Sequence, residues 1–135
     1  GLLILRIAIG TMLIHHGYEK TADINNFADA FVRPIGIPFP ILASYIAAYS
    51  EIYGSWLLIG GLFTRFASLS IVGTIGVAIY HAIVTAGFNI YLLELLILYM
   101  GGAVCILLLG GGDFAIDKLL QKFSIKFKKP HIPFT

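Results

Sequence analysis

Five ionisable side chains stand inside stretches of this sequence that are otherwise apolar: Arg6, His16, Glu51, His81 and Glu94. Glu51 is the most exposed to the problem this creates, because it lies near the middle of a run from about 40 to 63 whose other members are apolar, small or aromatic. A carboxylate in hydrocarbon costs on the order of 2.5 to 3.5 kcal/mol on insertion scales, so it needs a partner, a proton or a polar cavity. Two imidazoles and two carboxylates brought together would hold a polar head and pass a proton. The tyrosines on the same segments, Tyr45, Tyr49, Tyr80 and Tyr91, would flank an apolar body. A quinone headgroup meets both requirements: a histidine holds one ring oxygen, and a desolvated glutamate exchanges the proton that accompanies electron transfer.

Helical spacing decides which of these groups can meet. Counting about 1.5 Å per residue from the outer helix ends, His16, His81 and Glu94 lie roughly 6 to 8 Å deep and Glu51 roughly 16 Å deep. Ser44, Ala48, Glu51 and Ser55 make one stripe; Ser70, Thr74, Ala78, His81 and Thr85 make a second; Tyr91, Glu94, Leu98, Gly101 and Cys105 make a third. On the first segment His16 falls within about a quarter turn of the side shared by Arg6, Gly10, Gly17 and Lys20, whereas His15 faces almost the other way at about 100° per residue. His16, Glu51, His81 and Glu94 are therefore the expected ligand-binding or proton-exchanging set, with no catalytic residue assigned. The competing reading is a hydrogen-bonded network that fixes helix register. Arg6, Lys20, Arg65, Asp113 and Asp117 are expected in structural or ion-pair roles, Arg6 either extending to the interface or meeting Asp113 and Asp117.

The elements that must position these groups are membrane helices. The chain is 59% hydrophobic and 12% charged, where ordinary globular domains have roughly 25% charged residues. Apolar spans run over about 2–20, 40–63, 66–86 and 90–109, which predicts an all-α, integral membrane, antiparallel four-helix bundle over 1–112. A short interfacial helix is expected between Thr21 and Pro40, and 113–135 reads as a cytoplasmic amphipathic basic tail holding Lys118, Lys122, Lys126, Lys128 and Lys129. That is a signal for a lipid surface rather than nucleic acid, and with Arg65 it places both termini in the cytoplasm. His131 reads as a solvated residue of this tail. The lone Cys105 excludes an internal disulfide and a CxxC motif. No metal site is expected: Gly54 and Ile97 stand where a di-iron bundle would place histidine after Glu51 and Glu94. Haem or chlorophyll ligation by His16 or His81 would need a larger cavity than tight turns leave.

The order of the polar residues carries a resemblance. Arg6 in the first span, His16-Gly17 with Lys20, Glu51 with Gly54, GGLFTR from Gly60 to Arg65, then His81, Gly87 and Glu94, and GGGDFAID from Gly110 to Asp117 form a series similar to that of the DoxX family of small membrane proteins. The similarity covers essentially the whole chain; Ser55 stands where a second glycine is common, and His15 has no counterpart. The resemblance implies a four-helix membrane fold and an association with quinone-linked or sulfur and thiol redox systems in a bacterial plasma membrane or a thylakoid. It equally accommodates a non-catalytic accessory subunit packed against a respiratory or photosynthetic complex, with other membrane subunits or further copies of the chain as partners. A small-solute channel is a third reading, for which four short spans leave little room.

Overall fold

In a computed structural model, residues 1–128 are described, and they are all-helical with no strand among them. The expectations for Lys129 and His131 lie outside the described residues. α1 spans Leu2–Ala22, and Asp23 then accepts a bond from the Asn26 N–H at 3.1 Å to cap the short α2, Ile24–Phe27. The chain continues as a π turn over Ala28–Val32 and a 3₁₀ turn over Arg33–Ile35, which Pro34 and the left-handed Gly36 bring to an end. α3 is Pro40–Gly60, with proline at its first position where no amide hydrogen is needed. α4 is Thr64–Ala86, α5 is Ile90–Leu109 with Asn89 capping the Tyr91 N–H, and α6 is Ile116–Lys128.

Glycine sets the closest packing. α1 lies on α3, and a Cβ added at Gly17 would stand 2.6 Å from an Ile52 carbon and 2.9 Å from the Ala48 carbonyl oxygen. At Gly10 it would stand 2.6 Å from an Ile59 carbon and 2.9 Å from the Ser55 oxygen. These two glycines are two turns apart on one face, so the α3 backbone presses against α1 along that whole length. α3 also packs on α4, α4 on α5, and α5 touches α1. The core between them is Ile9, Leu13, Leu58, Ala67, Ile71, Ile75, Ala103 and Ile106. The Ser68 hydroxyl donates to the Ala103 carbonyl at 2.5 Å and ties α4 to α5 inside this apolar layer.

Two helices, Thr64–Ala86 and Ile90–Leu109, are long and apolar enough to cross a membrane on their own, and taking Ile24–Ile35 with Pro40–Gly60, bent by 108°, gives a third. α1 and α3 are of similar length but less apolar, α1 carrying Arg6, His15, His16, Glu19 and Lys20 and α3 carrying Glu51 with several serines and tyrosines. The connection between them is more than a surface helix. Ile24, Ala28 and Val32 are buried, and the segment packs across the ends of α3 and α4. Phe27 and Phe31, one turn apart, stack on each other at 5.1 Å, with the Lys20 ammonium against the Phe27 ring.

Candidate functional site

Glu51 is 3% exposed and its Oε1 lies 2.5 Å from the Lys20 ammonium, which α1 sends back along its own length into the interior. Lys20 Nζ also stands 5.2 Å from the centroid of the Phe27 ring, within cation–π range, so the connection roofs the pair. The other Glu51 oxygen, Oε2, has no hydrogen-bond partner among the described residues, and neither does the fully buried Ser55 hydroxyl one turn further on. This sets Ser55 apart. The hydroxyls of Thr11, Ser44, Ser70, Thr74 and Thr85 all turn back onto carbonyls of their own helices. The site is thus a buried ion pair with two free oxygen acceptors, able to take a hydrogen-bond donor or a proton.

The structure gathers the expected set differently. The α3 stripe of Ser44, Ala48, Glu51 and Ser55 does face inward. On α4 the inward face is Thr64, Ala67, Ser68, Ile71 and Ile75, so the stripe through His81 runs along a half-buried flank and ends at the exposed Thr85. His81 meets the Ala30 carbonyl at 3.2 Å through Nε2 and packs against Phe31 at 5.0 Å, which links it to Lys20 only through the two stacked phenylalanines. On α5 the correction is larger: Leu93, Ala103 and Ile106 face inward, while Tyr91, Glu94, Leu98 and Gly101 face out, Tyr91 at 82% exposure. The reason is that an all-apolar helix in lipid has no solvent side, so a small and polar stripe can face either way. His16 is 40% exposed with Nδ1 3.5 Å from Glu19 Oε2, and His15 is exposed beside it.

The residues at the opposite end build a clasp. Arg6 is fully buried and neither reaches the interface nor pairs with Asp113, which lies outside, 3.7 Å from Lys118. Instead its Nε donates to the Gly111 carbonyl at 2.9 Å, one terminal nitrogen donates to Leu58 and Ile59 at 2.8 and 3.0 Å, and the other donates to Phe114 at 3.0 Å. The planar fork therefore satisfies the last carbonyls of α3 and ties them to the loop before α6. Gly61 takes a left-handed φ of 71° to end α3, and a side chain there would strike Arg6 and Ala115. Asp117 returns the contact by accepting from the Phe63 N–H, the Thr64 N–H and the Thr64 hydroxyl at 2.8, 2.9 and 2.7 Å. Burial raises the Asp117 carboxyl, but the bonds from Thr64 and Phe63 and the charge of Arg6 together outweigh it and hold the group below its ordinary value. Arg65 caps α5, donating to the Leu108 carbonyl at 3.2 Å.

Sequence spacing did not point to the groove between α3 and α4. Tyr45, Tyr49 and Tyr53, one turn apart, stack with ring centroids 6.0 and 5.7 Å apart on the face of α3 away from Glu51. With Leu42, Leu57, Phe66 and Ser70 they line an open cleft of about 460 Å³. The i, i+4, i+8 spacing was the available signal, hidden because tyrosine suits core, interface and ligand equally.

The DoxX family model matches residues 1–86. An uncharacterized protein of Haemophilus influenzae is 32% identical over 128 residues, covering 90% of this chain and 83% of that protein. Inner membrane protein YphA of Escherichia coli is 35% identical over 79 residues, covering 58% of this chain and 56% of that protein. No solved structure matches.

Proposed function

This chain belongs to the DoxX family, it is an integral membrane protein, and from those premises we propose that it is a subunit of quinone-linked redox chemistry in a bacterial plasma membrane. The observation that carries this reading is the Lys20–Glu51 pair with its unpartnered Oε2. Keeping two charges out of water costs several kcal/mol each, and apolar side chains of like volume would serve stability as well or better. A retained pair with a free acceptor therefore suits exchange of a proton or a donor with something that enters. Oxidation of a quinol releases two electrons and two protons; the Glu51 carboxylate would accept one proton at Oε2, water would take the other, and the electrons would pass to a partner redox protein. The tyrosine cleft between α3 and α4 lies on the other face of α3 from Glu51 and takes no part in this exchange. His81 is retained in this proposal as the edge of the roofed region; His16 and Glu94 lie outside it.

All four long helices cross the membrane in this reading, the relative in E. coli being named an inner membrane protein. Both termini lie on the cytoplasmic side with Arg65 and the lysines of α6.

Extraction of the chain purified from its own membranes tests the proposal. The expected result is bound quinone, reduced by about tenfold in E51Q, the worth of one hydrogen bond to a charged group. Finding no quinone in the wild-type chain, and no response to an added quinol analogue, would sink it. One observation favours a second reading, an accessory subunit docked on a larger complex: the outward face of α5, where Glu94 sits among apolar residues. Recovery of the chain as a lone monomer from native membranes counts against that reading.

A further inference from the structure

The last two turns of α1 carry donors that neither the Glu51 pair nor the Arg6 clasp uses. His15, His16 and Glu19 stand at i, i+1 and i+4, so the carboxylate lies one turn above both imidazoles. One donor atom from each of the three lies within 4.8 Å of the other two. We propose that His15, His16 and Glu19 bind a divalent transition-metal ion of the zinc or copper class at the end of the molecule opposite α6.

The geometry favours an ion over a plain surface pair. His16 Nδ1 and Glu19 Oε2 are 3.5 Å apart, beyond the roughly 2.7 to 3.2 Å of a good hydrogen bond. Two donors held about 2.1 Å from one tetrahedral ion stand roughly 3.4 Å apart, which is the separation seen. The His15 ring is exposed, its centroid 4.0 Å from that of His16, and one of its nitrogens lies within 4.8 Å of both other donors. Two imidazoles and one carboxylate suit zinc or copper and do not suit calcium or magnesium, which take oxygen donors. Local charge permits it as well. Lys20, the neighbouring cation, is turned inward onto Glu51, and Arg33 is held by Asp29, so neither faces the three donors. Three protein ligands leave a fourth position open. Because Glu19 directly precedes Lys20, the ion also stiffens the turn from which Lys20 reaches Glu51.

The test uses the full chain in detergent without a histidine tag, titrated calorimetrically with zinc chloride alone and followed by electron paramagnetic resonance with copper(II). One ion per chain is expected. H15A, H16A and E19Q should each weaken binding by about tenfold or more, since loss even of a residue that only supports a ligand costs that much. E19Q changes a single exposed atom type and keeps the measurement meaningful should a histidine variant fold poorly. The copper spectrum should show two coupled nitrogens in the wild type and one in each histidine variant. Absence of saturable zinc binding, equal affinity in the H15A/H16A double variant, or an unchanged nitrogen count would overturn the proposal.

Discussion

Asp117 caps a helix to which it does not belong. A capping side chain ordinarily precedes its own helix by a residue, whereas Asp117 reaches the first amides of α4 from more than fifty positions away. The position it serves is strained: Phe63 holds a left-handed φ of 46° without being glycine, a cost of order 1 to 3 kcal/mol. The bond from the Phe63 N–H to Asp117 offsets part of that cost. D117N keeps one acceptor oxygen and loses the other, so it should destabilise the chain by about 1 kcal/mol, the typical worth of a cap. Thermal unfolding in detergent, followed by Trp56 fluorescence, measures it, and a variant melting with the wild type at neutral pH would contradict the assignment. The sign with pH follows from the lowered folded value. The stabilisation is fully present above the ordinary carboxyl value of 3.8 and is lost as pH falls through the folded one, so the two curves should converge only in acid below that point. Sequence alone left Arg6 either reaching the interface or meeting Asp113 and Asp117, and could not say what Arg6 and Asp117 bond, because their targets are backbone groups of distant segments.

At the scale of elements, the α1–α3 contact is the most extensive helix interface, and its two glycines make it testable. G17A would force Ile52 and the Ala48 carbonyl aside, an overpacking that costs typically 1 to 3 kcal/mol. G73A, where an added Cβ meets nothing within 4 Å, should be neutral or slightly stabilising through better helix propensity, by up to about 1 kcal/mol. Unfolding of the two variants in mixed detergent gives the comparison; equal midpoints would mean that α1 and α3 are not held this closely. The helices themselves were legible from apolar run length and from the glycines and prolines between them. The inward face of α3 was legible too, since Ser44, Ala48, Glu51 and Ser55 recur at helical spacing as its small and polar stripe. The direction of α5 was not. Its polarity contrast is slight, and lipid tails accept its leucines as readily as the core does, so periodicity alone left two answers with similar energy. The pairing of Lys20 with Glu51 escaped for a different reason: a lysine near a helix end reads as a group reaching for water, and only the backward tilt of helical side chains brings it inward.

For the molecule as a whole, crossing number decides which groups share a compartment, and the four crossings proposed above make a pattern that can be tested. Arg6 bonds carbonyls at the end of α3 and in the loop before α6, so the start of α1, the α3–α4 turn and α6 lie at one end. Lys20, Phe27 and His81 lie at the other. α4 and α5 are apolar enough to span by themselves; if α1 and α3 span beside them, the basic end is cytoplasmic and the end with His16 and Glu19 is not. Cys105 is the single cysteine, so C105S gives a background in which one new thiol reports one position. Cysteine is then placed at Gly1, Asn25, Phe88 or Asp113, each exposed, and intact cells are treated with a thiol reagent that cannot cross the membrane. Four crossings predict labelling of N25C and F88C, with G1C and D113C labelled only after permeabilisation. If α4 and α5 alone cross, N25C is protected while F88C still labels. If the bent pair supplies a third span and α1 does not cross, G1C labels from outside together with N25C. Only the first pattern keeps Arg6 and Glu51 on spans that cross the bilayer. There, partners inside the protein are the alternative to water, which is the condition that makes the clasp and the buried ion pair necessary.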